Sequence, residues 1–257
     1  MLFLFKDIAF LQVLWYSNTS YGCKIHNGEV LKVGGFMKTP IMTKENVDTL
    51  YDAKYLKLYD LRYRPEKHYF SASRRKTDDL VAIKSDDAFK TMLPDAVTIA
   101  VVLHLPDSKP KLLLSYEYRY PVGRFLLSPI AGLLDPEDRE DENPLCSAAA
   151  REIFEETGIK MTETDKITVL NPCAYSTPGM TDESNAFLCA DITLADASML
   201  DQSGCVGTEL FDGFELVDVD EAAKIYKSGR DKNGNTFSLA TWAVLGWFIL
   251  QYELYEL

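Results

Sequence analysis

Three glutamates in the stretch "REIFEETGI", residues 151–159, are spaced to act together: Glu152, Glu155 and Glu156. The preceding "LCSAAA" and the glutamates themselves favour a helix, and Gly158 suits its C-terminal cap. Positions i, i+3 and i+4 share one helix face, where like charges repel by roughly a few tenths of a kcal/mol per pair. A solvated helix relieves that repulsion with interleaved lysines, yet the cation close by is Arg151 alone. A hard divalent ion relieves it directly, because Mg²⁺ prefers carboxylate oxygens and substrate phosphates. The glutamates by themselves leave both readings open, a solvated face and a metal cradle. Just upstream, six of the eight residues 135–142 are acidic. That density reads as a solvated, mobile loop whose acids tolerate substitution, or alternatively as an extra metal or specificity loop at a cleft edge.

The elements that must hold this helix are mostly strands. "AVTIAVVLHL" at 96–105 is a continuous β-branched run, as expected of a strand buried on both faces. Strands are expected also at 111–120, 123–128, 166–175, 185–192 and 211–218. Ahead of Pro94, the Tyr- and Arg-rich segments 54–64, 68–74 and 79–84 read as a small antiparallel unit. Helices are expected after Pro144, over "VDEAAKIYKSG" and over the apolar "SLATWAVLGWFILQYEL" at 238–254. The last is a core helix rather than a membrane span, given its length and Gln251 and Glu253 near its end. The sum is a mixed α/β protein.

Composition narrows the partners. A net charge of −12 argues against nucleic acid and anionic membrane surfaces. Small phosphate ligands remain compatible with it, because bound metal ions invert the local sign. The five cysteines, at 23, 146, 173, 189 and 205, form no CxxC pair, which points to reduced thiols in a cytoplasmic protein. With only His26, His68 and His104 present, a carboxylate is the expected general base. The first sixteen residues are apolar but include Lys6 and Asp7; neither a spanning segment nor a signal peptide is expected there. "KVGGFMKTP" at 32–40 is compatible with a ribosome-binding site encoded just before Met37, in which case residues 1–36 are a non-native extension. The expected organisation is therefore a 1–36 extension, a small β-rich unit at 37–94 and a main domain at 95–257.

"REIFEETGI" resembles, position by position, the back half of the Nudix box: Arg-Glu, an aliphatic, any residue, Glu-Glu, any residue, Gly, an aliphatic. "YEYRYPVGRFLLSPIAGLLD" at 116–135 and "STPGMTDE" at 176–183 resemble the segments flanking the box in ADP-ribose pyrophosphatases. The resemblance covers roughly 95–257 and implies an α/β/α sandwich with a mixed sheet. It implies hydrolysis of a nucleoside diphosphate linked to another moiety, with Mg²⁺ or Mn²⁺. It assigns Glu152 and Glu156 as principal metal ligands, Glu155 as the assisting carboxylate, the Ala131 carbonyl as a further ligand, and Arg151 as the residue that orients the glutamates. Glu209 and Glu183 are the two candidates for the base that activates water, Glu209 being preferred. On the substrate side it points to Arg119, Gly179, Met180 and Arg74. Tyr69, Arg74 and Arg75 would reach base or ribose from the partner subunit of a homodimer.

The match departs from the family in two places. The interval from Gly132 to Arg151 is longer than usual, the extra residues falling in the acidic stretch 135–144. The glutamate of the box's front half then has no single counterpart, and Glu140 and Glu142 compete for it. Ser128 stands where relatives commonly carry an acid, which weakens the transfer of ADP-ribose as substrate. Two rival readings remain, a non-catalytic Nudix-like module that binds such a ligand and a dimeric scaffold with an exposed acidic helix.

Overall fold

The computed structural model describes residues 39–204 and 209–253, so the extension expected at 1–36 lies outside the described residues. From Pro40 onward the chain forms one compact unit. It begins with an antiparallel sheet of three strands, β1 (Val47–Asp52), β2 (Lys57–Arg64) and β3 (Lys67–Ser73), in that order. Tyr59 at its centre is fully buried, packed with Val47 and Leu80. The opposite face leaves Tyr51, Leu58 and Phe70 exposed.

The segment 79–84 is not the strand expected of it. It forms two 3-10 turns, Thr77–Asp79 and Val81–Ile83. Leu80 and Ile83, three apart, both reach the cluster around Tyr59; a strand's period of two would send them to opposite faces. The Asp182 carboxylate completes the geometry by accepting the Val81 N–H at 3.2 Å.

After a short helix α1 (Asp86–Thr91) comes the main sheet. Its strands are β4 (Ala96–His104), β5 (Lys111–Arg119), β6 (Arg124–Ser128), β7 (Ile130–Leu133), β8 (Lys166–Tyr175), β9 (Ser184–Thr193) and β10 (Phe211–Val217). Between β7 and β8 lie α2 (Pro136–Glu140) and α3 (Pro144–Thr157), and α4 (Val219–Ser228) and α5 (Leu239–Glu253) follow β10. The strand order is β10-β5-β4-β9-β8, with β6 joined to β5 and β7 to β4. β4 and β9 run parallel, from Ala96 opposite Asn185 to His104 opposite Thr193, while the other pairs are antiparallel.

Alternation along β4 sets the layers. Val97, Ile99, Val101 and Leu103 face α3 and meet Ala148, Ala149 and Ile153. Ala100 and Val102 face the other way and meet Val244, Leu245 and Phe248 of α5, with Ala222 of α4. The protein is thus a mixed α/β sandwich of helix, sheet and helices, preceded by the small antiparallel sheet. Among the described residues no helix is long and apolar enough to cross a membrane.

Candidate active site

Helix α3 is built from the alanine run 148–150 and stops at Gly158, which takes the left-handed conformation (φ 72°) while its N–H bonds the Phe154 carbonyl at 2.9 Å. The face that packs on the sheet also carries Glu152 and Glu156, one turn apart and 7 % and 5 % exposed. Both meet β7. The Ala131 N–H donates to Glu156 Oε1 at 3.2 Å. The Glu152 carboxylate lies directly over Gly132, where a Cβ would fall 1.9 Å from its carboxyl carbon. Gly132 is there because no side chain leaves room for that carboxylate. Glu155 sits at the rim, its side chain 39 % exposed.

Arg151 ties these parts together. Its Nη1 donates to Glu152 Oε1 at 2.8 Å and Glu155 Oε2 at 3.1 Å, and its Nη2 to the Leu133 carbonyl and to Asp138 Oδ2, both at 2.8 Å. Asp138 comes from the acidic stretch expected to be a solvated loop. That expectation fails at its centre: residues 136–140 form helix α2, and Asp138 is 7 % exposed. A capping box explains the turn, since the Asp138 carboxylate accepts the Asp135 N–H at 2.9 Å and Pro136 occupies the first helical position. Neither Glu140 nor Glu142 reaches Arg151; both are exposed, whereas the buried Asp138 does. Burial alone would raise the Asp138 carboxyl, but the Arg151 guanidinium and the Asp135 N–H hold it below the ordinary range.

The glutamates feel the opposite balance. Burial, opposed by Arg151, pushes Glu152 up to about 7, and the Glu155 and Glu209 charges add to the rise. Burial pushes Glu156 well above its usual value despite the Ala131 N–H, helped by repulsion from Glu117, Glu152 and Glu209. Glu117, on β5, is also raised, first by burial and then by Glu209, against its ion pair with Arg119. Glu209 is exposed, and its charge acts on all three. These carboxylates form one mutually repelling cluster.

Such a donor set suits a hard divalent cation, which carboxylate oxygens bind and whose charge removes the repulsion. Among the described residues no three acidic, histidine or cysteine side chains already close on a single point. In this arrangement the Glu152 and Glu156 oxygens are turned onto Arg151 and the Ala131 N–H.

The second candidate base, Glu183, is engaged by an arginine. Glu183 Oε2 accepts from Arg74 Nε at 2.8 Å, an ion pair that engages the Arg74 nitrogen nearest its stem. The loop before it lies on β3 of the same chain. The Tyr69 hydroxyl donates to the Gly179 carbonyl at 2.7 Å, and the Ala72 N–H to the Met180 carbonyl at 2.9 Å. Arg75 pairs with Asp95 at 2.8 Å, and Asp95 in turn accepts the Ser184 N–H. Tyr69, Arg74 and Arg75, expected to reach a partner's ligand, therefore make these contacts within their own chain. Met180 is exposed.

One curated protein can be set beside this arrangement. Over 147 residues the chain is 29 % identical to an uncharacterized Nudix hydrolase of Schizosaccharomyces pombe. The match takes in 56 % of this chain and spans 62 % of that protein's length. Among solved structures, an Ap4A hydrolase of C. elegans, crystallised as a binary complex, aligns over 63 % of this chain and 97 % of its own, with 18 % identity and a TM-score of 0.39. No protein-family model matches.

Two members of the site escape the motif. Asp138 is signalled by the capping box Asp-Pro-Glu-Asp at 135–138, which marks a helix start rather than a loop. Glu117 is signalled by parity: in β5 it alternates with Leu112, Leu114 and Tyr116, which face α5, so it must face α3.

Proposed function

We propose that the protein is a metal-dependent hydrolase of the Nudix type. Its substrate would be ADP-ribose or a related nucleoside diphosphate sugar, cut at the diphosphate to a nucleoside monophosphate and a sugar phosphate. The observation that carries this reading is the seating of Glu152 and Glu156 against Gly132 and Ala131. A helix carrying two buried, mutually repelling carboxylates over a glycine has no structural need of them. The likeness to the fission-yeast Nudix hydrolase supports the same class.

Glu152, Glu156, the rim carboxylate Glu155 and the Ala131 carbonyl are the groups that would hold Mg²⁺, or Mn²⁺. Bound there, the ion would neutralise the diphosphate and acidify a water. Arg151 fixes Glu152 and Glu155. Glu209 is the base we favour, because it is exposed and acts electrostatically on the cluster, while Glu183 is engaged by Arg74. Arg119, 45 % exposed at the end of β5, offers a guanidinium fork to the phosphates. Gly179 and Met180 would line the substrate side, with Arg74 behind them holding Glu183. The small sheet would make a homodimer through its apolar face of Tyr51, Leu58 and Phe70, to be checked by the particle mass in light scattering for wild type and Phe70→Arg. The odd set of cysteines without a CxxC pair supports a cytoplasmic setting.

The test is turnover of a panel of nucleoside diphosphate sugars and dinucleoside polyphosphates with Mg²⁺, with product identification. Wild type should release a nucleoside monophosphate, and Glu156→Gln should lose at least about a hundredfold, the loss expected when a metal shell is damaged. Glu209→Gln should lose more than Glu183→Gln. Equal, near-zero rates for wild type and Glu156→Gln on every compound would refute hydrolysis. Thermal stabilisation by a ligand without turnover would make the protein a binding module instead.

A further inference from the structure

Glu117 lies outside every motif that marks the helix glutamates, yet the fold delivers it to them. Strand β5 is regular through this region: Ser115 is opposite Ser128, Glu117 opposite Leu126 and Arg119 opposite Arg124. Leu113, on the same face as Glu117, packs in the cluster that holds Ile153 of α3. The Glu117 side chain is only 15 % exposed. It sits near enough to Glu156 and Glu209 for their charges to act on one another.

Nothing in the sheet explains a carboxylate at this place. The neighbouring position on the same face, Ser115, is fully buried and its hydroxyl has no partner. Across the ladder, the Ser128 hydroxyl bonds the Leu126 carbonyl at 3.3 Å. The cation in contact with Glu117 is Arg119, which is half in solvent. A structural ion pair would not need to be placed beside two buried glutamates, because burying charge without full compensation is costly.

We propose that Glu117 is a further carboxylate ligand of the divalent cation held by Glu152 and Glu156, so that the metal site is closed from the sheet side by β5 as well as from the helix side by α3. This rests on the hydrolase reading above and deepens it. It has one consequence for substrate: an ion on Glu117 competes with Arg119 for the same carboxylate, leaving the guanidinium available to a phosphate.

The experiment is Mn²⁺ binding followed by electron paramagnetic resonance, without substrate, so that binding is read apart from activity. Wild type is compared with Glu117→Gln, Glu117→Asp, Glu156→Gln and the control Glu142→Gln, an exposed acid of the insert. Glu117→Gln should bind at least about tenfold more weakly, or bind one ion fewer, as expected for loss of a ligand. Glu117→Asp, which keeps the charge on a shorter stem, should fall between, and Glu142→Gln should match wild type. Thermal melting checks that each variant is folded; if Glu117→Gln is not, Glu117→Asp alone decides, with wild-type affinity overturning the proposal. Glu117 isotherms superimposable on wild type, while Glu156→Gln loses binding, overturn the role of Glu117 and leave the hydrolase reading intact. Wild type that binds no Mn²⁺ overturns both.

Discussion

Gly132→Ala tests the seating of Glu152 without touching a charged group. The added Cβ would lie 1.9 Å from the Glu152 carboxyl carbon and from Oε1, and 2.3 Å from Oε2. Ordinary carbon contacts begin near 3.5 Å, so the carboxylate must retreat by roughly 1.5 Å. Those atoms end a flexible side chain, and Gly132 needs no positive φ, so the backbone can stay. Arg151 keeps the Leu133 carbonyl and Asp138. Alanine also suits a strand better than glycine, by roughly 0.5–1 kcal/mol. Net stability should therefore change by no more than about 1 kcal/mol. Activity should not survive so well. A displacement of about 1 Å in a catalytic group can cost about a hundredfold, or roughly 2.7 kcal/mol of barrier. The assay is kcat/KM on the best compound of the panel, beside a denaturation curve. The variant Glu152→Gln and the double variant complete a cycle: if alanine acts through Glu152, the double variant should be no worse than Glu152→Gln alone. Full activity in Gly132→Ala, or losses that multiply in the double variant, would refute the proposed seating.

Two further outcomes follow from the charges. Asp138→Ala should destabilise the protein by about 3 kcal/mol, the cost of removing one partner of a buried pair, seen as a lower midpoint in urea, whereas Glu140→Ala and Glu142→Ala should shift it by less than about 0.5 kcal/mol. In metal-free protein, Glu152 binds its proton more tightly folded than unfolded, its pKa rising from 4.5 to about 7. Stability should then be highest below pH 4.5 in this respect and fall as pH rises to 7, by roughly 3 kcal/mol for this group. Melting curves between pH 5 and 8 should show that slope in wild type, a shallower one in Glu152→Gln, and its relief by Mg²⁺ at the high end; a stability that climbs with pH in that window, equally in both proteins, would contradict it.

How much of this was legible beforehand depends on which force decided each element. β4 is readable because an unbroken run of β-branched residues has one stable home, between two layers. Helix α3 is readable because alanines, a glycine cap and the spacing of its glutamates agree. The segment 79–84 misleads because its apolar residues are too few to show a period, and the side chains of Tyr59 and Asp182, far away in sequence, settle its turns. β1 is hidden by its composition, five of its six residues being exposed. The insert misleads for a different reason. Charge density describes its average, six acids in solvent, but one of them lies where the capping turn aims it at Arg151. The pairing of Glu183 with Arg74 is not legible in the sequence, because which acid an arginine meets is set by how β3 lies against residues 177–183, a tertiary fact without local signature.

The distribution of cations decides what the cluster is for. Arg151 already donates to Glu152, Glu155, Asp138 and the Leu133 carbonyl, so its fork is spent on holding the frame. Arg119 reaches Glu117 but stands half in water, where a charge pair is weak. That leaves Glu156, the most deeply buried of the set, with only the N–H of Ala131 against three neighbouring carboxylates. A fold selected for stability alone would replace Glu156 with an apolar residue, since it shares its helix face with the buried Ile153 and Ala149. On the proposed reading, the charge that offsets Glu156 is that of a bound cation. On the proposed metal-binding reading, binding of a divalent ion and stability of this helix face are one equilibrium, so any ion that serves the chemistry should also raise the melting temperature, and the order in which ions do so should follow their preference for carboxylate oxygen.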